Sequence, residues 1–351
     1  MVRVAILGAG FMGGVHSKAY TTLPDAEIAV IYSPSPDRGQ PLAEELGVRW
    51  SDDLEAILAD ASIEAVDICL PTPQHRPVTE AVIAAGKHVL LEKPIAMTLE
   101  DAAALVTLAD DSDRIVMMAH VLRFWPEYVE IARQAHAGDL GRLRSGFASR
   151  RQPFPAWSKL FSRSDLTGGA VIDMMIHDFD ALNWIFGTPL AVTARGEQND
   201  RSNGGFDQVQ VLIDYPSASA LVDGGMTMPE SYPFSSRLEV LGADAAIEYT
   251  FRAGGRSVEM GGGVNELVLY PNAGDPAILE LIQADPYANE CSAFLDAIRT
   301  GSSPDRATPH DGLIALATAL AARQSLEQGG ARVEVQAPPR PEQVQKARGS
   351  H

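Results

Sequence analysis

The chain has 351 residues, 46% hydrophobic and 21% charged, which is long for a single core, suits two domains and is ordinary for a globular protein. Its 28 Lys and Arg against 46 Asp and Glu leave a formal charge of −18, which argues against nucleic acid or an anionic membrane as partner, since both reward a basic face. Two cysteines widely separated in sequence, Cys69 and Cys291, do not make a disulfide framework and fit a reducing compartment.

The first strand candidate, Val2–Leu7, starts almost at the amino terminus, which leaves no room for a signal peptide and makes a cytoplasmic setting the expectation. A helical pattern follows at Met12–Thr22. Further strand candidates are Glu27–Tyr32, Ala65–Leu70, His88–Leu91 and Arg114–Met118. Between them, apolar residues spaced by three and four predict helices at Asp37–Leu46, Asp53–Asp60, Arg76–Ala85 and Leu99–Asp110. Near-continuous apolar strands joined by helices predict a doubly wound parallel sheet over residues 1–122.

From about residue 143 the rhythm changes. Leu143–Arg150, Leu190–Glu197, Val209–Tyr215, Ala218–Gly224, Arg237–Leu241, Ala246–Phe251 and Glu266–Tyr270 read as strands separated by Pro, Gly, Ser and Asp. Strands in succession favour an antiparallel sheet, so residues 123–335 are expected to form a second α/β domain. One long helix is predicted over about 169–186, and two more, about Tyr287–Thr300 and Pro309–Gln328, close the domain. The longest apolar helical stretch, Leu313–Ala322, falls short of the ~18–20 residues of a membrane span. Pro338-Pro339-Arg340-Pro341 opens a polar run, so 336–351 is expected to be a disordered tail, with Arg348–His351 open to reading as an engineered remnant.

Gly8-Ala9-Gly10-Phe11-Met12-Gly13 follows the first strand directly. Gly8 allows a tight turn, Gly10 lets backbone approach a pyrophosphate, and Gly13 permits close helix–strand packing, with the helix amino end facing the anion. The plain alternative is a strand-to-helix turn with no ligand. NAD sites carry an acidic residue ~20 positions further on, at the end of the second strand. Here Tyr32 and Ser33 occupy that place, and Arg38 follows. A hydroxyl at Ser33 and a guanidinium at Arg38 suit a 2′-phosphate, so NADP is favoured over NAD, with Arg38 as a solvated surface residue the alternative.

Glu92-Lys93-Pro94 ends the strand candidate His88–Leu91. Proline keeps Lys93 out of helical geometry, and an ammonium at the carboxyl end of a parallel strand stands where such sheets bind ligands. There it can hydrogen-bond a substrate hydroxyl and stabilise an alkoxide as hydride leaves. A second constellation runs Gly168-Gly169-Ala170-Val171-Ile172-Asp173-Met174-Met175-Ile176-His177-Asp178. Asp173 and His177 are four apart and share a face on a helix, so the carboxylate can support a histidine that takes the hydroxyl proton. An Asp/His pair of this kind is also a common structural feature. Asp178 and Asp180 extend it towards a metal site only weakly, since no HExxH or cysteine set accompanies them, and no metal is expected.

Taken together these segments resemble the glucose–fructose oxidoreductase/inositol dehydrogenase (Gfo/Idh/MocA) family over nearly the whole chain. The resemblance rests on the glycine turn, Pro71-Thr72-Pro73-Gln74-His75, Glu92-Lys93-Pro94, Arg123-Phe124, the Asp173–His177-Asp178 segment, and Glu290 with Phe294. It implies a Rossmann domain, then an α/β domain whose large open antiparallel sheet often mediates assembly, hence a homodimer or homotetramer. It further implies Lys93, Asp173 and His177 as the catalytic group with His177 the acid/base, Pro71, Thr72 and His75 along the cofactor, and Glu92 near the nicotinamide ribose. Two features depart from the family pattern: the ribose carboxylate is missing, and Gln74 stands three residues after Pro71 where an Asn four residues after is common.

The segment His120–Pro126 is expected at the domain junction. His120 is a candidate for the substrate cleft or for a satisfied buried histidine, Arg123 for substrate hydroxyls or for an inter-domain ion pair. Trp157 is a candidate for stacking on a sugar face or for anchoring a loop. The reading that follows is an NAD(P)-dependent dehydrogenase or reductase of a small polyhydroxylated substrate (a sugar, polyol or inositol). Two rivals stay open: a tightly held nucleotide serving a net non-redox sugar reaction, and a non-catalytic nucleotide-sensing regulator.

Overall fold

The computed structural model describes residues 1–156, 159–254, 263–302 and 304–336. The chain divides into two compact units, one of residues 1–125 with 283–313, the other of 126–282 with the chain from 314 onward.

In the first unit, β1 (Val2–Leu7), α1 (Phe11–Thr21), β2 (Ala26–Tyr32), α2 (Pro36–Leu46), β3 (Arg49–Ser51), α3 (Leu54–Ala59), β4 (Ala65–Ile68), α4 (His75–Ala84), β5 (His88–Glu92), α5 (Leu99–Asp110) and β6 (Val116–Ala119) alternate as the apolar pattern requires. The six strands lie in the order β3-β2-β1-β4-β5-β6, all parallel. Val4, Ile6, Leu7, Val66, Val89 and Leu90 are fully buried, as strands covered by helices on both faces must be. The order reverses between β1 and β4, and the crevice at the carboxyl ends there is where open parallel sheets take their ligands. This is the expected Rossmann sheet. It has one strand the pattern did not announce, the three-residue edge strand β3.

The second unit holds α6 (Pro126–Ala137), β7 (Ser145–Pro153), α7 (Ser164–Thr167), α8 (Gly169–Asp173), α9 (Ile176–Phe186), β8 (Ala191–Asn199), β9 (Gly205–Asp214), β10 (Ser219–Met228), β11 (Ser235–Leu241), β12 (Ala245–Arg252), β13 (Val264–Pro271) and β14 (Ala277–Ile278). Helices α10 (Pro286–Thr300) and α11 (Pro309–Glu327) and strand β15 (Val333–Glu334) complete the chain. The nine strands follow the order β14-β13-β12-β11-β7-β10-β9-β8-β15, antiparallel throughout except for the β7–β10 pair. Along β9 and β11 buried and more exposed residues alternate, so one face carries the core and the other is open.

Two expectations change. The helix expected over 169–186 is two pieces, because the chain turns at Met174-Met175 between α8 and α9. Both residues keep right-handed dihedrals and both are buried, so the apolar period runs through the turn and hides it. Residues 283–313 belong with the first unit, whereas the sequence placed them in the second domain. Helix α10 packs on α1, with Glu290 facing His16 and Arg299 pairing with Asp25 at 2.8 Å. The division within the chain falls at 125/126, close to the expected 122/123. No helix among the described residues is long and apolar enough to cross a membrane.

Candidate active site

The turn after β1 is built from two glycines that the protein needs and one that it does not. Gly8 has φ +121°, and a Cβ there would lie 2.5 Å from the Cys69 carbonyl oxygen of the neighbouring strand end. A Cβ on Gly13 would lie 1.8 Å from the Gly8 carbonyl oxygen. Both are buried. Gly10 is exposed, has ordinary extended backbone (φ −86°, ψ −167°), and a Cβ on it would meet nothing among the described residues within 4 Å. Internal packing therefore leaves room for a side chain at Gly10, while a backbone approach by a pyrophosphate would not. The adjoining first turn of α1 carries Phe11, Met12 and Gly13 and no acid, so its amide groups and positive dipole end suit an anion. These residues fit a dinucleotide. Phe11 is 60% exposed beside them.

At the end of β2 the hydroxyl of Ser33 donates to the Ser35 carbonyl at 3.1 Å and accepts from the Ser35 amide at 3.2 Å. Ser33 is also buried, and its carbonyl takes the Trp50 indole N–H. Ser33 thus shapes the β2–α2 turn. Arg38 is exposed in the first turn of α2, behind the N-cap Ser35.

Beyond β4, Pro71 and Thr72 enter a single 3₁₀ turn, Thr72–Gln74, and His75 opens α4. His75 is fully buried, with one ring nitrogen 2.9 Å from the Leu70 carbonyl and the other 2.9 Å from that of Pro94. Both acceptors are carbonyls, so a neutral ring donates to only one, and burial favours that neutral ring by pushing its pKa down. Its nitrogens are committed to clamping the loop after β4 to the loop after β5.

Lys93 is partly exposed at the carboxyl end of β5, and the Lys93–Pro94 peptide is cis. Glu92 turns inward: its Oε2 accepts the Lys93 backbone amide at 2.8 Å and its Oε1 lies 3.4 Å from His16 Nε2. His16 Nδ1 bonds Asp67 Oδ2 at 2.8 Å, and Asp67 Oδ1 takes the Cys69 thiol. Glu92 is thus held from both oxygens, by the Lys93 amide and by His16.

His120 and Arg123 are each 1% exposed. Arg123 pairs with Asp311 at 3.2 Å, and both belong to the first unit. The Arg123 guanidinium is thus paired within the first unit. Trp157 lies outside the described residues.

In the second unit Asp173 ends α8 and His177 is the second residue of α9, both partly exposed among buried neighbours. Asp178 is buried and held by Arg150 through two bonds, Nε to Oδ2 at 2.9 Å and Nη2 to Oδ1 at 3.1 Å. That carboxylate is spent on the guanidinium rather than on His177. The sequence reading missed His16 and Asp67 altogether. An aspartate in the middle of the apolar strand Ala65–Ile68 was the available signal, because a buried carboxylate demands a partner.

Comparisons with known proteins agree with this architecture. Residues 2–120 match the Gfo/Idh/MocA oxidoreductase family model with its NAD-binding Rossmann fold, and residues 128–248 match the Gfo/Idh/MocA C-terminal domain. The chain is 29% identical over 330 residues to the inositol 2-dehydrogenase of Rhizobium meliloti, covering 93% of this chain and 97% of that one. It is 30% identical over 341 residues to D-xylose 1-dehydrogenase (NADP(+)) 2 of Haloferax volcanii, covering 93% and 98%. Among solved structures, GenD2 from gentamicin A biosynthesis in complex with NAD superposes with a TM-score of 0.82 at 26% identity, covering 96% of this chain and 97% of that one.

Proposed function

This chain belongs to the Gfo/Idh/MocA oxidoreductase family, and on that premise we propose that Lys93, Asp173 and His177 carry its chemistry, with NADP preferred to NAD. It is an NAD(P)-dependent oxidoreductase acting on CH–OH groups of sugar or polyol substrates. The bound dinucleotide supplies the hydride chemistry at its nicotinamide. Lys93 polarises the substrate oxygen and stabilises the alkoxide, and His177 takes or returns the hydroxyl proton, with Asp173 supporting its cationic form. The observation that carries the reading is the pairing, at the carboxyl edge of one sheet, of a glycine that internal packing does not require with an ammonium two strands away. A regulator that only sensed the nucleotide would need Gly10 and not Lys93.

Replacing Lys93 with Met or Ala tests it directly. The expected result is at least about a thousandfold loss of kcat with dinucleotide affinity held within about threefold. Full activity in either variant would end the mechanism.

Homo-oligomerisation is proposed through the open face of the second sheet. Leu212 and Leu221 stand opposite each other across β9 and β10 there, 45% and 39% exposed. A monomeric mass by light scattering would remove that proposal.

A further inference from the structure

Beneath the glycine turn lies a buried set of ionisable groups that the chemistry above does not use, adjoining Lys93, which it does. It draws on four elements of the first unit: His16 and Tyr20 from α1, Asp67 from β4 with Cys69 just beyond it, Glu92 and the adjoining Lys93 from β5, and Glu290 and Cys291 from α10, where the Tyr287 ring also faces His16 at 6.1 Å. His16, Asp67 and Glu290 are fully buried. His16 sits at the centre. Its Nδ1 bonds Asp67, and its Nε2 stands at ion-pair distance from two more carboxylates, 3.4 Å from Glu92 and 3.7 Å from Glu290. Neither Glu290 oxygen has a hydrogen-bond partner among the described residues.

Charge neutrality restricts the protonation pattern. Three carboxylates around one imidazole cannot all be ionised in so dry a place. Burial, then the neighbouring Glu92 and Asp67, raise the Glu290 carboxyl well above its usual range, so Glu290 holds a proton. Burial alone would lower the His16 ring, but the neighbouring carboxylates, Asp67 first and then Glu92, outweigh it and raise it to about 10. The result is an imidazolium between two carboxylates, with the Lys93 ammonium beside the second of them.

We propose that His16 is a positioning residue for Lys93: its ring fixes the Glu92 carboxylate that receives the Lys93 backbone amide, and so ties the dinucleotide-binding helix to the reactive strand end. The connection is short and continuous. Helix α1 offers its amino end to the pyrophosphate and carries His16 three residues after Gly13. His16 reaches Glu92, and Glu92 reaches Lys93. Strain or release at the turn is thereby felt where the ammonium stands. The inference rests on the reading of Lys93 given above.

The test begins with a readout independent of turnover. In protein labelled with ¹⁵N-histidine, one imidazole of the eight should keep both ring protons above pH 8.5, and that signal should vanish in His16→Asn. In Glu290→Gln, which exchanges a neutral carboxyl for a neutral amide of the same shape, the midpoint of the same signal should stay within about half a unit, and a fall of about a full unit would overturn the protonated Glu290. A His16 ring that titrates near its ordinary value would overturn the proposal. So would a divalent metal ion bound stoichiometrically by the purified protein and lost in His16→Asn, since the donor atoms of His16, Asp67 and Cys291 lie within 4.8 Å of one another.

Kinetics supply the second arm. His16→Asn should lower kcat about tenfold or more while the dinucleotide Kd stays within about threefold. The acid limb of the kcat profile should move up by about one pH unit, because the Glu92 carboxyl, already raised by burial, loses the cation that partly offsets that rise. A uniform loss of active protein would leave that limb where it is and would count against the proposal. Wild-type protein that turns over no sugar or polyol would sink the functional reading while the histidine signal still decides this one.

Discussion

Arg150 and Asp178 are joined by two hydrogen bonds of 2.9 and 3.1 Å in the buried interior of the second unit, one residue beyond His177. Burial disfavours the guanidinium charge, and the Asp178 carboxylate more than restores it. Removing one partner leaves the other charged and stranded, a loss of about 3–5 kcal/mol. Asp178→Ala should therefore lower the unfolding free energy from urea titration by that amount, and Arg150→Met in the same chain should recover most of it. Asp178→Ala with unchanged stability would mean that the pair is not formed in solution.

The glycine turn makes opposite predictions for two residues three positions apart. Gly13→Ala drives its methyl into the Gly8 carbonyl and should cost about 1–3 kcal/mol of stability. Gly10→Ala enters open space on permissive backbone and should leave the melting temperature unchanged. Its dinucleotide affinity should still fall at least about tenfold, or about 1.4 kcal/mol, measured by fluorescence titration with NADH and NADPH. A Gly10→Ala variant that binds both as wild type would place the pyrophosphate elsewhere.

Local motifs made half of this site legible. Gly8, Gly10, Gly13 and Lys93 are read from short segments, because a turn and a strand end are local events. The strands were legible for a related reason: a run such as Val2–Leu7 is buried on both faces and so is apolar throughout. What escaped is long-range or locally masked. His16, Asp67, Glu92 and Glu290 meet only after four elements have packed, and Arg123 finds Asp311 across most of the chain. An amphipathic helix announces that it will pack, but not against which core, so α10 was assigned to the second domain although it lies on α1. Helix α6 went unread because its apolar contribution is thin, resting chiefly on Tyr128, Ile131 and Ala132 between polar residues.

Cofactor choice turns on Arg38. With the Ser33 hydroxyl engaged by Ser35, the guanidinium in the first turn of α2 is the group left to read a 2′-phosphate. A charge-assisted contact of that kind is worth about 1.5–3 kcal/mol. Arg38→Ala should weaken NADPH about 10- to 100-fold and change NADH by less than about threefold. If wild-type protein binds NADH the more tightly, Asp37 or backbone groups serve the ribose and NAD-linked oxidation is the reaction to screen.

The buried cluster also sets the sign of a pH effect on stability. His16 is raised to about 10 in the folded chain, against an ordinary value of 6.5, and Glu92 and Glu290 are raised from 4.5 by burial. All three bind protons more tightly folded than unfolded. The favourable contribution of His16 is complete below 6.5 and is lost as pH climbs to about 10. Holding the proton on Glu290, and ionising Glu92 against its raised pKa, become a growing cost once pH passes 4.5. Both effects make the first unit less stable as pH rises from about 5 to 9. Gln at position 290 keeps the neutral, proton-bearing shape without that cost. Glu290→Gln should therefore melt with wild type near pH 5 and about 2–4 °C above it near pH 8.5, by differential scanning calorimetry across the range. Parallel melting curves at every pH would mean that Glu290 is already ionised in the folded protein, and the proton would have to be assigned to Glu92 instead.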